Sequence, residues 1–215
     1  VINTISLIKR RPDLDRVAFR NHYETTHAPL ALPYMKGLTR YVRYHIIEDL
    51  FGEVAFDVLS AFWYRDRESV AHMRAVLAGE LGKPILEDEL KFMDKPANMF
   101  FPVSERTLLS EEEEGDEHVF VLIANPEGLS RYDSSARLVK DDWPSLLEGL
   151  EQPSFALLRD AFPIDGGELR WNAVLQVRAS SEAGLKSWAK ARECEGWRVA
   201  AVRTRRYETE LPPDN

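Results

Sequence analysis

The stretch SEEEEGDEHVFVLIAN (residues 110–125) runs from a dense acidic segment, through a glycine, into six consecutive apolar residues. Like charges at that density favour an extended, solvated segment, and the β-branched run after it favours a strand. The acidic residues therefore read as a linker. On its two sides the elements follow the same order. Before it come a strand (INTISLIKR, 2–10), a helix (LDRVAFRNHYETTH, 14–27) and two strands (GLTRYVRYHIIE, 37–48, and DVLSAFWYR, 57–65). A second helix follows (RESVAHMRAVLAG, 67–79), with Val70, Met73, Val76 and Leu77 at helical spacing. The strand ANMFFPVSERTLL (97–109) closes the half, its Pro102 marking an edge or a bulge.

After the linker come HVFVLIAN (118–125), a short helix DDWPSLLEGL (141–150), and the strands SFALLRDAF (154–162) and LRWNAVLQVR (169–178). A helix SSEAGLKSWAKARE (180–193), capped by Ser180 or Ser181, and the strand WRVAAVRTRRYETEL (197–211) complete it. The order is βαββαβ twice, at a period of about 115 residues. Each such unit is a ferredoxin-like fold, a four-stranded antiparallel sheet with two helices on one face. The bare face of the sheet needs a cover, and two units packed sheet to sheet supply it. The expected fold class is α+β: two tandem ferredoxin-like domains, 1–109 and 118–215, forming a dimeric α/β barrel within one chain.

The bulk chemistry narrows the function. With 215 residues, a net charge of -8 and a pI near 5.3, the chain's field repels nucleic acid and anionic lipid. The basic runs KRR (9–11) and RTRR (203–206) read as solvated strand edges. The longest apolar run is far short of the ~20 residues that cross a bilayer. The segment VINTISLIKRRPD (1–13) lacks the pattern of a signal peptide. Cys194 is the sole cysteine, so no intrachain disulfide or cysteine zinc site is expected, and the composition fits the cytoplasm.

Phe19, Tyr23 and His27 recur every fourth residue and share one helical stripe, with Phe19 facing the core. A histidine at the helix end, near neutral pKa, can move a proton; alternatively it pins the Ala-Pro-Leu turn that follows. In the strand 37–48, Tyr41 and His45 face one way and Tyr44 the other, so the cleft gains either the Tyr41/His45 pair or Tyr44. His45 is a second acid–base candidate or a plain hydrogen bonder. Trp63, Phe92, Phe100 and Phe101 form a pocket wall or ordinary core. Asp94 orients His27 or caps a turn, and Glu87, Asp88 and Glu89 read as a solvated face. His22, His72 and His118 are expected at the surface. His22 and His27, five apart, do not suit a metal pair on one helix face. DGGELRW (165–171) is a turn rather than a phosphate loop, and there is no GxSxG elbow.

The segments FRNHYETTHAPL (19–30), GLTRYVRYHII (37–47), FDVLSAFWY (56–64) and EDELKFMD (87–94) together make the first half resemble the EthD-like family of dimeric α/β barrels. The second half shows kinship only in its order of elements. Family members are usually shorter and pair as homodimers, so the extra half implies an internal pseudo-dimer and leaves a homodimer of the fused chain open. The resemblance implies a cofactor-free lyase acting by dehydration, decarboxylation or cyclisation on an aromatic or polyketide-like small molecule, and the residue spacing suggests no metal site. It also leaves open, as alternatives, a non-catalytic small-molecule-binding accessory protein of a degradative pathway and, behind that, a haem-binding barrel. Under the lyase reading His27, His45 and Tyr23 are catalytic, while Phe19, Tyr41, Tyr44, Trp63, Phe92 and Phe101 contact substrate.

Overall fold

Every residue of VLSAFWY (Val58–Tyr64) is buried, and this strand, β3, is the middle of a sheet. The computed structural model describes residues 1–110, 115–164, 169–179, 181 and 183–211. The acidic residues 111–114, the turn at 165–168 and the cap residue Ser180 lie outside the described residues. The strands and helices alternate as expected, and all the strand pairings described here are antiparallel, so the class is α+β. Two compact units emerge, one of Val1–Ile46, Ala55–Pro102 and Arg206–Asn215, the other of Ile47–Val54 and Val103–Arg205.

In the first unit β3 pairs with β1 (Ile2–Ile8) from Ile2↔Tyr64 to Ile8↔Val58. On its other side it pairs with β2 (Leu38–Phe51), from Leu38↔Tyr64 to His45↔Val58, with a register shift between Leu38 and Arg40. Helices cover one sheet face. Helix α1 (Arg16–His22) starts where the Asp15 carboxylate accepts the Ala18 N–H at 2.7 Å. It does not stop at His27, as the sequence led us to expect. It widens into a π turn (Tyr23–His27) and resumes as α2 (Ala28–Ala31). Pro29 explains the detour. A proline in a continuous α-helix lacks the N–H for the carbonyl four residues back and clashes with it. The wider turn, closed by the Ala28 N–H on the Tyr23 carbonyl, lets the chain restart with Pro29 in a first turn, where proline fits.

Helix α3 (Arg67–Ala78) is capped by Asp66 and buries Met73 and Val76. Helix α4 (Lys83–Phe92) was not anticipated; it buries Ile85, Asp88 and Phe92 along one stripe. Phe19, Tyr23, Tyr41, Phe62, Met73 and Phe92 belong to the core between helices and sheet. Of the basic run 9–11 only Arg11 stays at the surface, paired with Asp13; Lys9 and Arg10, with Arg16, close on the buried Asp57 carboxylate at 3.0–3.2 Å.

In the second unit the strand order is β8 (Arg198–Glu208), β5 (Glu117–Ala124), β7 (Ala173–Arg178), β6 (Phe155–Ala161), β4 (Met99–Leu109). Its helices are α5 (Arg131–Arg137), α6 (Trp143–Glu148) and α7 (Leu185–Glu193). The helix expected at 141–150 begins ten residues earlier, at Arg131, with Ser130 as its cap. It too passes through a π turn (Leu138–Asp142) ahead of a proline, Pro144. Cap, π turn and proline recur 115 residues after Asp15, Tyr23–His27 and Pro29. His118 is buried, not exposed, and accepts a hydrogen bond from the Gln176 amide at 3.2 Å. Among the described residues no helix is long and apolar enough to cross a membrane.

Candidate active site

The π turn and the middle strands build the site together. Strand alternation turns Ser60 and Phe62 of β3, with Tyr41, Arg43 and His45 of β2, toward the helices. Tyr44 and Trp63 take the other face, where Arg40 stacks on the Trp63 ring at 4.7 Å. A cavity of about 360 Å³ opens between helices and sheet within the first unit. Ile8, Met35, Phe62, Tyr64, Met73 and Ile85 make it apolar, and Ser6, Tyr23, His27 and Tyr41 are the polar residues of its inner wall. That size and lining suit a small organic ligand.

His27 is 5% exposed, and its Nδ1 lies 3.1 Å from an Asp88 carboxylate oxygen. Asp88, on α4, is 1% exposed, so the acidic run 87–89 is not simply a solvated face. It also accepts from His22 Nε2 at 3.1 Å, which draws His22 off the open surface. Asp94, the other candidate for orienting His27, instead flanks the short turn Lys95–Ala97. An ionised carboxylate only accepts, so Nδ1 of His27 carries the hydrogen and Nε2 keeps its lone pair. Among the described residues Nε2 has no protein partner. Burial pushes the His27 pKa below the ordinary histidine value, against the opposing pull of Glu89 and Asp88. The ring is therefore neutral at pH 7, with its free nitrogen available as a base.

The Tyr23 hydroxyl lies 3.1 Å from that of Tyr41 and 3.0 Å from Ser60 Oγ. Burial raises the pKa of both tyrosines, so both remain O–H donors at neutral pH. Behind them sits a charged cluster. Glu24 receives Arg43 at 2.5 and 3.1 Å and His45 Nε2 at 2.7 Å, while the Arg43 guanidinium lies 4.4 Å from the Tyr41 ring centre. Burial alone would raise the Glu24 pKa, but the bonds from His45 and Arg43 outweigh it and hold the carboxyl ionised. His45 is thus committed to Glu24 and does not line the cavity.

The remaining aromatic candidates divide. Phe92 packs 5.0 Å from the His27 ring and Phe19 lies edge-on to Tyr23, so both back the site without lining it. Phe101 is wholly buried away from the cavity; its neighbour Phe100 lines the mouth, with Arg74, Glu89, Lys95 and Asn98. Asp88, Glu24 and Ser60 escaped the sequence reading. A signal for Asp88 existed: Ile85, Asp88 and Phe92 fall on one helical stripe, which marks Asp88 as inward. Among the described residues no group of three or more histidine, cysteine or acidic side chains is placed to hold a metal ion.

The EthD domain model matches residues 11–96. An ethyl tert-butyl ether D (EthD) family protein from Bacillus halodurans is 26% identical, over 49% of this chain and 100% of its own, with a TM-score of 0.38. An anthrone oxidase-like protein is 11% identical over 96% of this chain and 92% of its own, with a TM-score of 0.63. A proposed monooxygenase from Fusobacterium nucleatum is 9% identical over 100% and 96% of the two chains, with a TM-score of 0.53. At 9–11% identity these last two likenesses are of fold alone. No curated protein matches the chain by sequence. The matched segment holds Tyr23, His27, Tyr41, Ser60 and Asp88 together, so the candidate site lies within the part of the chain that is similar to the EthD domain.

Proposed function

We propose that the chain is a cofactor-independent lyase-type enzyme for an aromatic or polyketide-like small molecule, with one site per chain in the first unit. On this reading the two units are tandem ferredoxin-like repeats forming one barrel, and the second serves as cover. The observation that carries it is His27: one ring nitrogen held by the buried Asp88, the other free in the wall of an apolar cavity. Substrates that acidify their own C–H bond need only a base and hydrogen-bond donors. In a dehydration, Nε2 of His27 takes the proton from carbon, and the Tyr23 and Tyr41 hydroxyls donate to the enolate oxygen as charge gathers there. The imidazolium, stabilised by Asp88, then gives its proton to the departing hydroxide, which leaves as water. His27 returns to its starting state. His45 and Arg43 act at one remove, holding Glu24 and the Tyr41 ring in place.

Native mass spectrometry of the purified chain identifies a co-purified ligand, and turnover on that ligand tests the base. His27→Ala and His27→Gln are both expected to lose about 100-fold or more in turnover, the usual reach of general acid–base catalysis, with melting temperatures little changed. If His27 only clasps the turn, alanine costs stability, glutamine partly restores it, and activity per folded molecule holds. That pattern defeats the proposal in favour of an accessory binder, and a Soret band in the purified protein defeats it in favour of the haem alternative.

A further inference from the structure

A second groove, of about 430 Å³, adjoins the cavity and shares Val70, Arg74 and Phe100 with it. Its other walls are Arg67 and Ala71 of α3 and Ile2, Thr4 and Pro102 from the neighbouring strands. Among the described residues, the polar groups there have no side-chain partner. Neither Arg67 nor Arg74 has a carboxylate partner among the described residues, although acidic residues outnumber basic ones in the chain, 36 to 28. The other cation on the cavity rim, Lys95, is already occupied by Glu89. Thr4 is 2% exposed, and its hydroxyl finds no protein partner. Phe100 lies across the shared rim with 42% of its surface open.

Two unpaired guanidiniums, an unsatisfied hydroxyl and a half-open aromatic ring, continuous with an apolar cavity, point to a ligand with two ends. We infer that the groove is the outer part of the substrate site and takes the carboxylate of an elongated aromatic acid whose ring lies in the cavity. The inference rests on the reading of that cavity as the substrate site. Arg74, common to both spaces, meets the carboxylate where it leaves the cavity, since a guanidinium fork matches two carboxylate oxygens. Arg67 stands two helical turns further along the groove and adds attraction. Because both arginines are exposed, their contribution is modest and screened by salt.

Titration with 2-naphthoate and with uncharged 2-naphthol, at neutral pH and low ionic strength, separates the two ends. The wild-type chain is expected to bind naphthoate about tenfold more tightly than naphthol. The double variant Arg67→Gln/Arg74→Gln is expected to bring that ratio close to one while leaving naphthol affinity and melting temperature unchanged. Added salt is expected to weaken naphthoate alone. Equal affinities in the wild type, or a preference that survives in the double variant, overturn the inference while the cavity reading stands. Failure of the wild type to bind either probe overturns both.

Discussion

Asp88→Asn tests the heart of the site without any substrate. The substitution keeps the shape of the side chain and removes its charge. An amide can then turn its NH₂ toward His27 and donate, where the carboxylate could only accept. Nδ1 of His27, 3.1 Å away, would become the acceptor and the ring hydrogen would move to Nε2. A ring protonated at Nε2 has no lone pair facing the cavity. Turnover is expected to fall by about 100-fold to 10,000-fold, the range seen when a histidine base loses its orienting carboxylate. Stability is expected to drop by about 1–3 kcal/mol, because charge-assisted bonds from His22 and His27 are exchanged for neutral ones. The assay is two-dimensional NMR of the ¹⁵N-labelled histidines, which distinguishes the two neutral tautomers. The wild type should show Nδ1–H at His27 and the variant Nε2–H. A wild-type His27 that is charged at pH 7, or one whose tautomer is the same in both proteins, would refute the reasoning.

Three further outcomes follow from the same geometry. Lys9, Arg10 and Arg16 hold the Asp57 pKa below the ordinary carboxylate value despite burial, so its stabilisation is fully present above about pH 4 and is lost as pH falls through its lowered folded value; Asp57→Asn should cost about 3 kcal/mol at pH 7, and urea melts of the two proteins should converge under acid. Glu24→Gln, which leaves Arg43 and His45 without a counter-charge, should unfold about 2–4 kcal/mol more easily, and an unchanged urea midpoint would show that the cluster carries no load. Trp143→Ala, which removes a fully buried ring stacked 5.8 Å from Trp188, should cost about 3–5 kcal/mol in calorimetry.

The order of elements was legible because most of them carry their own apolar period. The two missed helices do not. In RYDSSAR (Arg131–Arg137) the buried residue is Ser134, which has no hydrophobic signature. Helix α4 begins just after the glycines 79 and 82, and its charges Glu87, Asp88 and Glu89 mask the stripe that buries Asp88. Strand alternation separated Tyr41 and His45 from Tyr44, yet only packing decides which set meets the helices, and the answer is the Tyr41 set. The same one-residue ambiguity exchanged Phe100 for Phe101 at the cavity mouth, beside a proline that blurs the pattern. His27 was legible because the four-residue stripe placed it inward. Its partner was not, since no local rule links a histidine at 27 to a carboxylate 61 residues on.

Under the proposed function, the recurrence of the π turn 115 residues on accounts for a single site, in the first unit. Counting 115 residues on from His27 leads to Asp142, in the same place at the end of the same π turn. His27 meets a carboxylate from a following helix; Asp142 meets a guanidinium, Arg192 of α7. The helix-to-helix tie is kept while the group able to cycle a proton near pH 7 is lost, because a carboxylate gripped by Arg192 and flanked by Arg137 is an anchor. One position further on, Ala28 is replaced by Trp143, stacked on Trp188, whose indole N–H donates to the Asp142 carbonyl at 3.1 Å. Both rings belong to the buried core of the second unit. The π turn ahead of a proline holds His27 in a cavity wall in one unit and the Asp142–Arg192 ion pair in the other. The backbone alone therefore does not make the site. Under the proposed function it also needs a histidine at the turn, and of the two π turns among the described residues Tyr23–His27 carries one and Leu138–Asp142 does not.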